Sequence, residues 1–278
     1  MLIDTRTLSE HLRDPDWIVF DCRHDLQDFA RGARLYAEGH IPGAYFAPAE
    51  TVLSGAKTGT NGRHPLPAPE DLAAWLNRCG VTPKTQLVAY DDIGGQYAAR
   101  FWWMSRWLGL TRTAVLDGGL PKWTADGYAT ATETPAFRGG GSVVARPDAS
   151  QVVTAADVLA GVTTGACTVV DARAPERFRG EVEPIDRVAG RIPSALNRFF
   201  KANLNPDQTF RAPDALRREF TALLGDRPLA QVVHQCGSGI TACGNLLAME
   251  YAGLPGSKLY PGSWSEWIAD PARPMARG

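Results

Sequence analysis

A cysteine stands at the start of a short loop, between an apolar run and an alanine-rich helical pattern. The segment reads Val232-Val233-His234-Gln235-Cys236-Gly237-Ser238-Gly239-Ile240-Thr241-Ala242. Backbone N–H groups in a tight loop and the positive end of a helix dipole favour a thiolate over a thiol. The sequence therefore predicts that Cys236 is a nucleophile, and that the main chain of residues 237–242 surrounds it.

The sixth position after the cysteine separates two chemistries that use such a loop. A phosphate-binding cysteine loop ends in arginine, whose planar fork pairs with a phosphoryl dianion, whereas this position is Ala242. None of the loop residues 236–242 is cationic. A phosphatase is therefore disfavoured, and we expect the loop to hold an oxyanion or a persulfide anion through N–H donors alone.

Four sequence elements occur twice, in the same order. They are Val19–Arg23 with Val169–Arg173, Gly39–Ala44 with Gly190–Ala195, Leu87–Asp91 with Val232–Cys236, and Gly118–Trp123 with Gly262–Trp267. The nearly constant spacing predicts two copies of one domain, residues 1–130 and 151–278, joined by a polar, glycine-containing linker at 131–150. At the cysteine position the first copy has Asp91, which cannot accept sulfur, so we expect one active site per chain.

Short β-branched runs alternate with helical patterns in each copy. The predicted strands are Trp17–Phe20, Leu87–Tyr90, Ala114–Leu116, Cys167–Val170, Gln231–His234 and Lys258–Tyr260. The predicted helices are Ser9–Arg13, Pro69–Cys79, Gly95–Leu108, Ala155–Leu159, Pro213–Leu224 and Ile240–Ala252. This alternation indicates the α/β class, with a mostly parallel sheet flanked by helices in each domain.

The first copy carries extra residues in or near positions 51–66. From Ile41 to Asp91 there are 50 positions, but from Ile192 to Cys236 there are 44. The stretch contains Arg63-His64-Pro65, is too polar for a core, and is longer than a simple connection requires. We expect it to be long enough to reach the other domain.

The overall composition excludes several classes of protein. With 29 basic and 30 acidic residues the net charge is −1, which provides no cationic field for nucleic acid or a membrane surface. The five cysteines form no C-x-x-C pair, which argues against a disulfide framework and against a structural zinc site. The amino terminus has no secretion-signal pattern. We expect a cytoplasmic protein with reduced thiols and no bound metal. The sequence leaves the oligomeric state open, and we expect a monomer.

The double domain, the Gly39–Ala44 element, the Cys-Gly-Ser-Gly-Ile-Thr-Ala loop and the Trp264-Ser265-Glu266-Trp267 segment together resemble the tandem-rhodanese sulfurtransferases over the whole chain. The resemblance implies an enzyme that carries sulfur as a Cys236 persulfide without an organic cofactor. It implies a small-molecule sulfur donor, and a thiol, a dithiol reductant or cyanide as acceptor. Because Gly237 and Ser238 are neutral, the loop is more similar to that of 3-mercaptopyruvate sulfurtransferases than to thiosulfate-preferring members, which place basic residues there.

Further site residues follow from the resemblance. It implies that Arg177 binds the carboxylate of the donor and that Arg187 assists, with Arg191 as a competing candidate for the second position. It also implies a proton relay of Ser238 and His64 beside the cysteine. The aspartate that completes this relay in the family has no counterpart, because Ser54-Gly55-Ala56-Lys57-Thr58 stands in its place.

Each of these assignments has a structural alternative. Arg177 and Arg187 could instead form ion pairs with Glu181, Glu183 or Asp186. His234 is expected to be a packed histidine, and Cys243 a core residue.

The N–H groups that surround the sulfur would come from Gly237, Gly239, Ile240, Thr241 and Ala242. A thiosulfate sulfurtransferase with the same nucleophile, and a non-catalytic persulfide carrier or redox-sensing module, stay open as alternative functions.

Overall fold

The computed structural model describes all 278 residues, which divide into two compact units. The first unit comprises Met1–Gly55, Leu66–Asp148 and Asn205–Phe210. The second comprises Ala56–Pro65, Ala149–Leu204 and Arg211–Gly278. Most of the stretch that we expected to reach the other domain thus belongs to the second unit.

Five parallel strands form the sheet of the first unit, in the order β1-β5-β4-β2-β3. They are β1 (Leu2–Ile3), β2 (Trp17–Asp21), β3 (Tyr45–Phe46), β4 (Gln86–Tyr90) and β5 (Thr113–Leu116). The helices are α1 (Thr5–His11), α2 (Arg31–Glu38), α3 (Pro69–Arg78), α4 (Gln96–Trp107) and α5 (Gly119–Ala125). Parallel strands require a crossover between neighbours, and these helices supply it.

The second unit repeats this arrangement with four parallel strands, in the order β7-β6-β8-β9. They are β6 (Thr168–Asp171), β7 (Leu196–Asn197), β8 (Val232–Gln235) and β9 (Lys258–Leu259). The helices are α6 (Ala155–Thr164), α7 (Pro175–Arg179), α8 (Pro213–Leu224), α9 (Thr241–Tyr251) and α10 (Ser263–Trp267). The predicted α/β class with two parallel sheets is confirmed. No helix has both the length and the apolar character needed to cross a bilayer.

The helix after the central strand is buried in both units. In α4 the ring of Phe101 stacks on Phe20 of β2 with centroids 4.5 Å apart, and Trp102 is fully buried. In α9 the residues Ala242–Met249 are all buried, so this helix has no solvated face. A helix that is apolar on all sides must lie inside the fold, and its amino end is then fixed with respect to the strand before it.

The Asp-x-Arg element that occurs in both copies ties the end of one strand to the next loop. Arg23 contacts Asp21 through Nε and Nη2, and its Nη2 also donates to the carbonyl of Gly39 at 2.7 Å. In the second unit Arg173 makes the same pair with Asp171 and donates to the carbonyl of Gly190, also at 2.7 Å. Both units make this contact, but only the second unit has the cysteine at the nucleophile position. The role of the contact is therefore structural.

The predicted linker, residues 131–150, runs along the first unit for most of its length. Ala131 exchanges backbone hydrogen bonds with His40, and the N–H of Ser142 donates to the carbonyl of Val81. Gly141 lies so close to α3 that an added Cβ would be 2.3 Å from the Cα of Asn77. Gly141 therefore allows close packing, and residues up to Asp148 group with the first unit.

Asp91 fills the nucleophile position of the first unit with a carboxylate that four N–H groups surround. Its Oδ1 accepts from the N–H groups of Ile93 (3.0 Å) and Gly95 (2.8 Å), and its Oδ2 from those of Tyr97 (2.8 Å) and Ala98 (3.1 Å). Burial raises the pKa of Asp91, and these hydrogen bonds oppose that rise. The loop between β4 and α4 is thus an anion-binding site that the protein's own side chain occupies.

Replacing Asp91 with alanine should leave these four buried N–H groups without an acceptor. We expect the free energy of unfolding to fall by about 3 kcal/mol, because a buried donor that loses a charged partner costs on that order. The measurement is urea denaturation. Asp16→Ala is the control, since Asp16 is an exposed aspartate of the same unit, and it should change the value by less than about 0.5 kcal/mol. Equal, small effects of both changes would contradict the prediction.

Candidate functional site

The loop that carries Cys236 is held in place by the segment around α10. The N–H of Cys236 donates to Oγ of Ser263 at 3.1 Å, and its carbonyl accepts from the N–H of Trp264 at 3.0 Å. Gly239 has a φ of +79°, and a Cβ there would lie 2.4 Å from the carbonyl oxygen of Pro261. Only glycine fits at this position, so the conformation of the loop depends on the absence of a side chain at residue 239.

The sulfur of Cys236 lies at the amino end of α9. Its side chain is 2% exposed, and Sγ accepts a hydrogen bond from the N–H of Gly239 at 3.1 Å. Ile240 is the residue before the helix, and Thr241 and Ala242 form its first turn, where N–H groups have no partner within the helix. The sulfur therefore faces polar main-chain groups although it is almost completely buried.

The occupied loop of the first unit indicates which N–H groups converge here. The two loops have the same length, so the donors to Asp91 correspond in sequence to the N–H groups of Ser238, Ile240, Ala242 and Cys243. Of these four, the N–H of Cys243 donates to the carbonyl of Ile240 at 3.0 Å. In aspartate each carboxylate oxygen is two bonds from Cβ. In a cysteine persulfide the outer sulfur is also two bonds from Cβ. A loop of this geometry can thus hold an anion one atom longer than a thiolate.

Ser238 and His64 meet beside the loop. The Nδ1 of His64 lies 2.8 Å from Oγ of Ser238, and the two residues are 1% and 5% exposed. The segment that carries His64 is anchored because the N–H of Arg63 donates to Oγ of Ser265 at 3.0 Å. Gly62 lies against the carbonyl of Gly262, where a Cβ would be 2.7 Å away. The structure thus brings together the two residues of the predicted relay.

Arg177 is part of an ion-pair network that also lies beside the loop. Its Nε and Nη2 contact Glu183 at 3.1 and 2.7 Å, and Nη2 is 3.2 Å from Asp186. Burial opposes ionisation of Glu183, but Arg177 and the N–H groups of Ile185 and Asp186 together lower the pKa of this carboxyl. Arg177 therefore forms ion pairs with Glu183 and Asp186, as the alternative interpretation of the sequence predicts. It also lies near the loop of Cys236.

Arg63 belongs to the same network, and nothing in the sequence patterns assigned it a role. Its Nη1 forms a short contact with Oδ1 of Asp186. A Cβ on Gly237 would lie 3.0 Å from Nη2 of Arg63, 3.6 Å from Nη2 of Arg177 and 3.7 Å from Oδ2 of Asp186. The signal that could have indicated Arg63 is its position directly before His64 in the extra loop of the first copy.

Arg187 does not join this group. Its Nη2 donates to the carbonyl of Ile268 at 2.8 Å. Arg191, the competing candidate, pairs through its backbone with Ala276, and its guanidinium lies over the ring of Phe178 at 4.8 Å. The structure thus places Arg177 near the cysteine loop, and gives Arg187 and Arg191 partners elsewhere in the second unit.

His234 and Cys243 are buried next to the loop. The Nε2 of His234 is 3.1 Å from the sulfur of Met249, and burial lowers the pKa of His234 to about 3. The thiol of Cys243 donates to the carbonyl of Gly239 at 3.3 Å. Neither Cys243 nor any other cysteine is in a disulfide. His234 is a neutral packed side chain, as the sequence predicts, and Cys243 packs within the fold.

Comparison with known proteins identifies the family. The rhodanese-like domain matches twice, at residues 4–126 and 154–270, and the chain belongs to the rhodanese-like family. A probable 3-mercaptopyruvate sulfurtransferase of Pseudomonas aeruginosa is 48% identical over 280 residues, which is 100% of this chain and 98% of the relative. A thiosulfate sulfurtransferase of the same organism is 32% identical over 278 residues, covering 99% of this chain and 96% of the relative.

A solved structure agrees with these relatives. SseA from Escherichia coli, described as a 3-mercaptopyruvate sulfotransferase of rhodanese fold, superposes with a TM-score of 0.81 at 31% identity. The match covers 95% of this chain and 98% of SseA. The predicted resemblance to tandem-domain rhodanese proteins is confirmed, and so is the predicted enzyme class, a sulfurtransferase.

The neutral state of His234 predicts a pH dependence of stability. The unfolded chain binds a proton at this histidine below about pH 6.5 and the folded chain does not, so stability should fall as the pH decreases from about 6.5 toward 3. The loss from this residue should be about 1.4 kcal/mol per pH unit. Urea denaturation between pH 7 and 5 should therefore show a shallower decline for His234→Leu than for the wild type. Parallel declines would show that His234 does not contribute.

Proposed function

We propose that this sulfurtransferase moves one sulfur atom from 3-mercaptopyruvate to Cys236, and from there to a thiol, a dithiol reductant or cyanide. The observation that carries the proposal is the loop of Cys236, in which a buried sulfur accepts an N–H bond at 3.1 Å at the start of an 11-residue helix. The neutral Gly237 and Ser238, and the name of the Pseudomonas relative, support this donor.

In the first step the thiolate of Cys236 attacks the sulfur of the donor. A bond forms between the two sulfur atoms while the bond between the donor's sulfur and carbon breaks, and its electron pair leaves with the carbon as pyruvate enolate. The N–H of Gly239 and the dipole of α9 stabilise the thiolate before the attack. No external oxidant is needed, because the carbon that keeps the electron pair is reduced as the transferred sulfur is oxidised to the sulfane level.

The enolate must then take up a proton at carbon. The donor's own thiol proton is sufficient for the balance, and Ser238 with His64 at 2.8 Å provides a path that moves it from sulfur to carbon. Either ring tautomer can complete the path, since the hydroxyl is both a donor and an acceptor. The products of this half-reaction are pyruvate and the Cys236 persulfide anion.

The persulfide must persist until an acceptor arrives. The N–H groups of Ser238, Ile240 and Ala242, which correspond to three of the donors around Asp91, would bind its outer sulfur. The acceptor then attacks that sulfur and leaves with it, and Cys236 returns to the thiolate. Two half-reactions on one nucleophile predict ping-pong kinetics. A cytoplasmic setting belongs to the proposal, because a reducing compartment keeps the five free cysteines reduced.

Thiosulfate is the second candidate donor, since two guanidinium groups lie beside Gly237. However, Glu183 and Asp186 pair with these guanidiniums and offset their charge. A site with little net charge should favour a donor with one carboxylate over a dianion. The ratio of kcat/KM for the two donors decides, and a clear advantage for thiosulfate would reject 3-mercaptopyruvate as the principal donor.

A single burst of pyruvate without turnover would identify a carrier rather than an enzyme.

Replacing Cys236 with serine should abolish pyruvate release, because an alcohol at this position is neither ionised nor able to form a persulfide. Intact-mass spectrometry after incubation with 3-mercaptopyruvate should find one added sulfur atom on the wild type and none on the variant. Cys167→Ser is the matched control, since Cys167 is a half-buried cysteine outside the loop, and it should retain both properties. Persulfide formation by Cys236→Ser would contradict the assignment of the nucleophile.

Replacing Ser238 with alanine should slow pyruvate release by about 100-fold or more, because the enolate loses its proton path. Transfer of sulfur from enzyme already loaded as persulfide to cyanide needs no such proton, and it should change by less than ~3-fold. Stopped-flow measurement of each half-reaction tests this difference. Ser257→Ala, at a half-buried serine outside the site, is the control. Equal slowing of both half-reactions would argue against the relay.

A further inference from the structure

Ionised side chains next to the loop of Cys236 form one connected network. Arg177 contacts Glu183 at 2.7 Å and Asp186 at 3.2 Å. Glu183 also contacts Arg173 at 3.3 Å. With the outer pairs included, the network has three guanidiniums and three carboxylates, which are those of Arg63, Arg173, Arg177, Asp171, Glu183 and Asp186. Its charges therefore sum to zero.

Asp186 is the carboxylate of this network that lies nearest to Gly237, the residue directly after the nucleophile. Its Oδ2 is 3.7 Å from the position of a Cβ on Gly237. Both of its oxygens are engaged, Oδ1 with Arg63 at 2.5 Å and Oδ2 with Arg177 at 3.2 Å. Its side chain is 4% exposed, so water and salt screen its charge only weakly. An anion that binds beside Gly237 therefore meets a negative charge as well as two guanidiniums.

A neutral network affects monoanions and dianions differently. A ligand with one negative charge can use the hydrogen bonds that the loop and its surroundings supply without any net charge. A second negative charge loses its hydration on entry, finds no uncompensated positive charge, and is repelled by Asp186. Without the Asp186 carboxylate the network would carry one positive charge, and the second charge of a dianion would be attracted. The charge of this one residue therefore decides the sign of the effect.

We propose that Asp186 determines the charge class of both substrates of the enzyme. It disfavours dianions, which are thiosulfate among the donors and sulfite among the acceptors. It admits monoanionic or neutral molecules such as 3-mercaptopyruvate, cyanide and thiols. The assignment deepens the proposed function and rests on it, because it concerns the two half-reactions at the same site. The role is one of specificity, since Asp186 exchanges no atom or proton with the substrates.

Sulfite and thiosulfate are the two sides of one chemical step. The sulfur of sulfite attacks the outer sulfur of the Cys236 persulfide, a bond forms between these two atoms, and the bond from the outer sulfur to Sγ breaks. Its electron pair stays on Sγ as the thiolate, and thiosulfate leaves. The reverse of this step is the attack of the thiolate on thiosulfate. A residue that opposes the dianionic charge in the transition state slows both directions, so poor use of thiosulfate as donor predicts poor use of sulfite as acceptor.

The test removes the charge of Asp186 and keeps its size, with the substitution Asp186→Asn. The ratio of kcat/KM for thiosulfate to kcat/KM for 3-mercaptopyruvate should rise by about 10-fold or more, because a buried charge acts at close range on the second charge of the dianion. With enzyme already loaded as persulfide, the ratio of the rates of transfer to sulfite and to cyanide should rise in the same direction. Steady-state kinetics measure the first ratio, and stopped-flow kinetics measure the second.

Glu181→Gln is the matched control, since it removes the same charge from an exposed residue of the same segment that pairs with Arg179. Both ratios should change by less than ~2-fold there, because solvent screens that charge. If Asp186→Asn does not fold, Glu183→Gln decides, since it removes one charge from the same network.

Three results would overturn the assignment. Equal losses with both donors would mean that Asp186 only holds the arginines in place. Unchanged ratios would mean that its charge does not select the substrates. A shift of equal size in Glu181→Gln would mean that the overall charge of the protein, rather than the buried network, is responsible.

A binding measurement keeps this proposal separate from the proposed function. Thiosulfate and pyruvate, a dianion and a monoanion, can each be titrated by calorimetry into Cys236→Ser, which cannot accept sulfur. Adding Asp186→Asn should strengthen the binding of thiosulfate relative to that of pyruvate by about 10-fold or more. An unchanged relative affinity would reject the role of Asp186 whichever donor the enzyme uses. Failure of the wild type to release pyruvate from 3-mercaptopyruvate would instead reject the proposed donor and leave this comparison intact.

Discussion

The site depends on the convergence of backbone N–H groups where a central strand meets the buried helix after it. The geometry of strand and helix fixes these donors, and they attract an anion whatever its chemistry. The first unit satisfies them with the Asp91 carboxylate, and the second places the Cys236 sulfur among them. The sulfur of Cys236 differs from the Asp91 carboxylate in that it can carry a second sulfur atom into this set of donors.

The internal repeat separates residues that maintain the fold from residues that perform chemistry. The pair of Asp171 and Arg173 has a counterpart in the first unit, and in both units the arginine also binds the carbonyl of a glycine, so the pair stabilises the loop rather than the reaction. Cys236, Ser238 and the Arg63–His64 segment have no such counterpart. The extra residues of the first copy supply this segment to the second unit, which explains why one copy had to be longer.

Much of the fold could be predicted because strands and long helices carry strong local patterns. Helix α8 was predicted to the residue, from Pro213 to Leu224. Helix α1 was predicted to begin too late, because its Asp4 cap acts through one side-chain bond rather than through apolar periodicity. The loop of Cys236 was predictable from local sequence, but Arg63 was not, since contact with Asp186 joins positions far apart in the chain.

The most direct test of the account is a high-resolution structure of the enzyme after exposure to 3-mercaptopyruvate. We predict one additional sulfur atom, bonded to Sγ of Cys236 and within hydrogen-bonding distance of the N–H groups of Ile240 and Ala242. These groups correspond to the N–H groups of Gly95 and Tyr97, which bind Oδ1 and Oδ2 of Asp91. An added sulfur on another cysteine, or one on Cys236 that turns away from these N–H groups, would contradict the account.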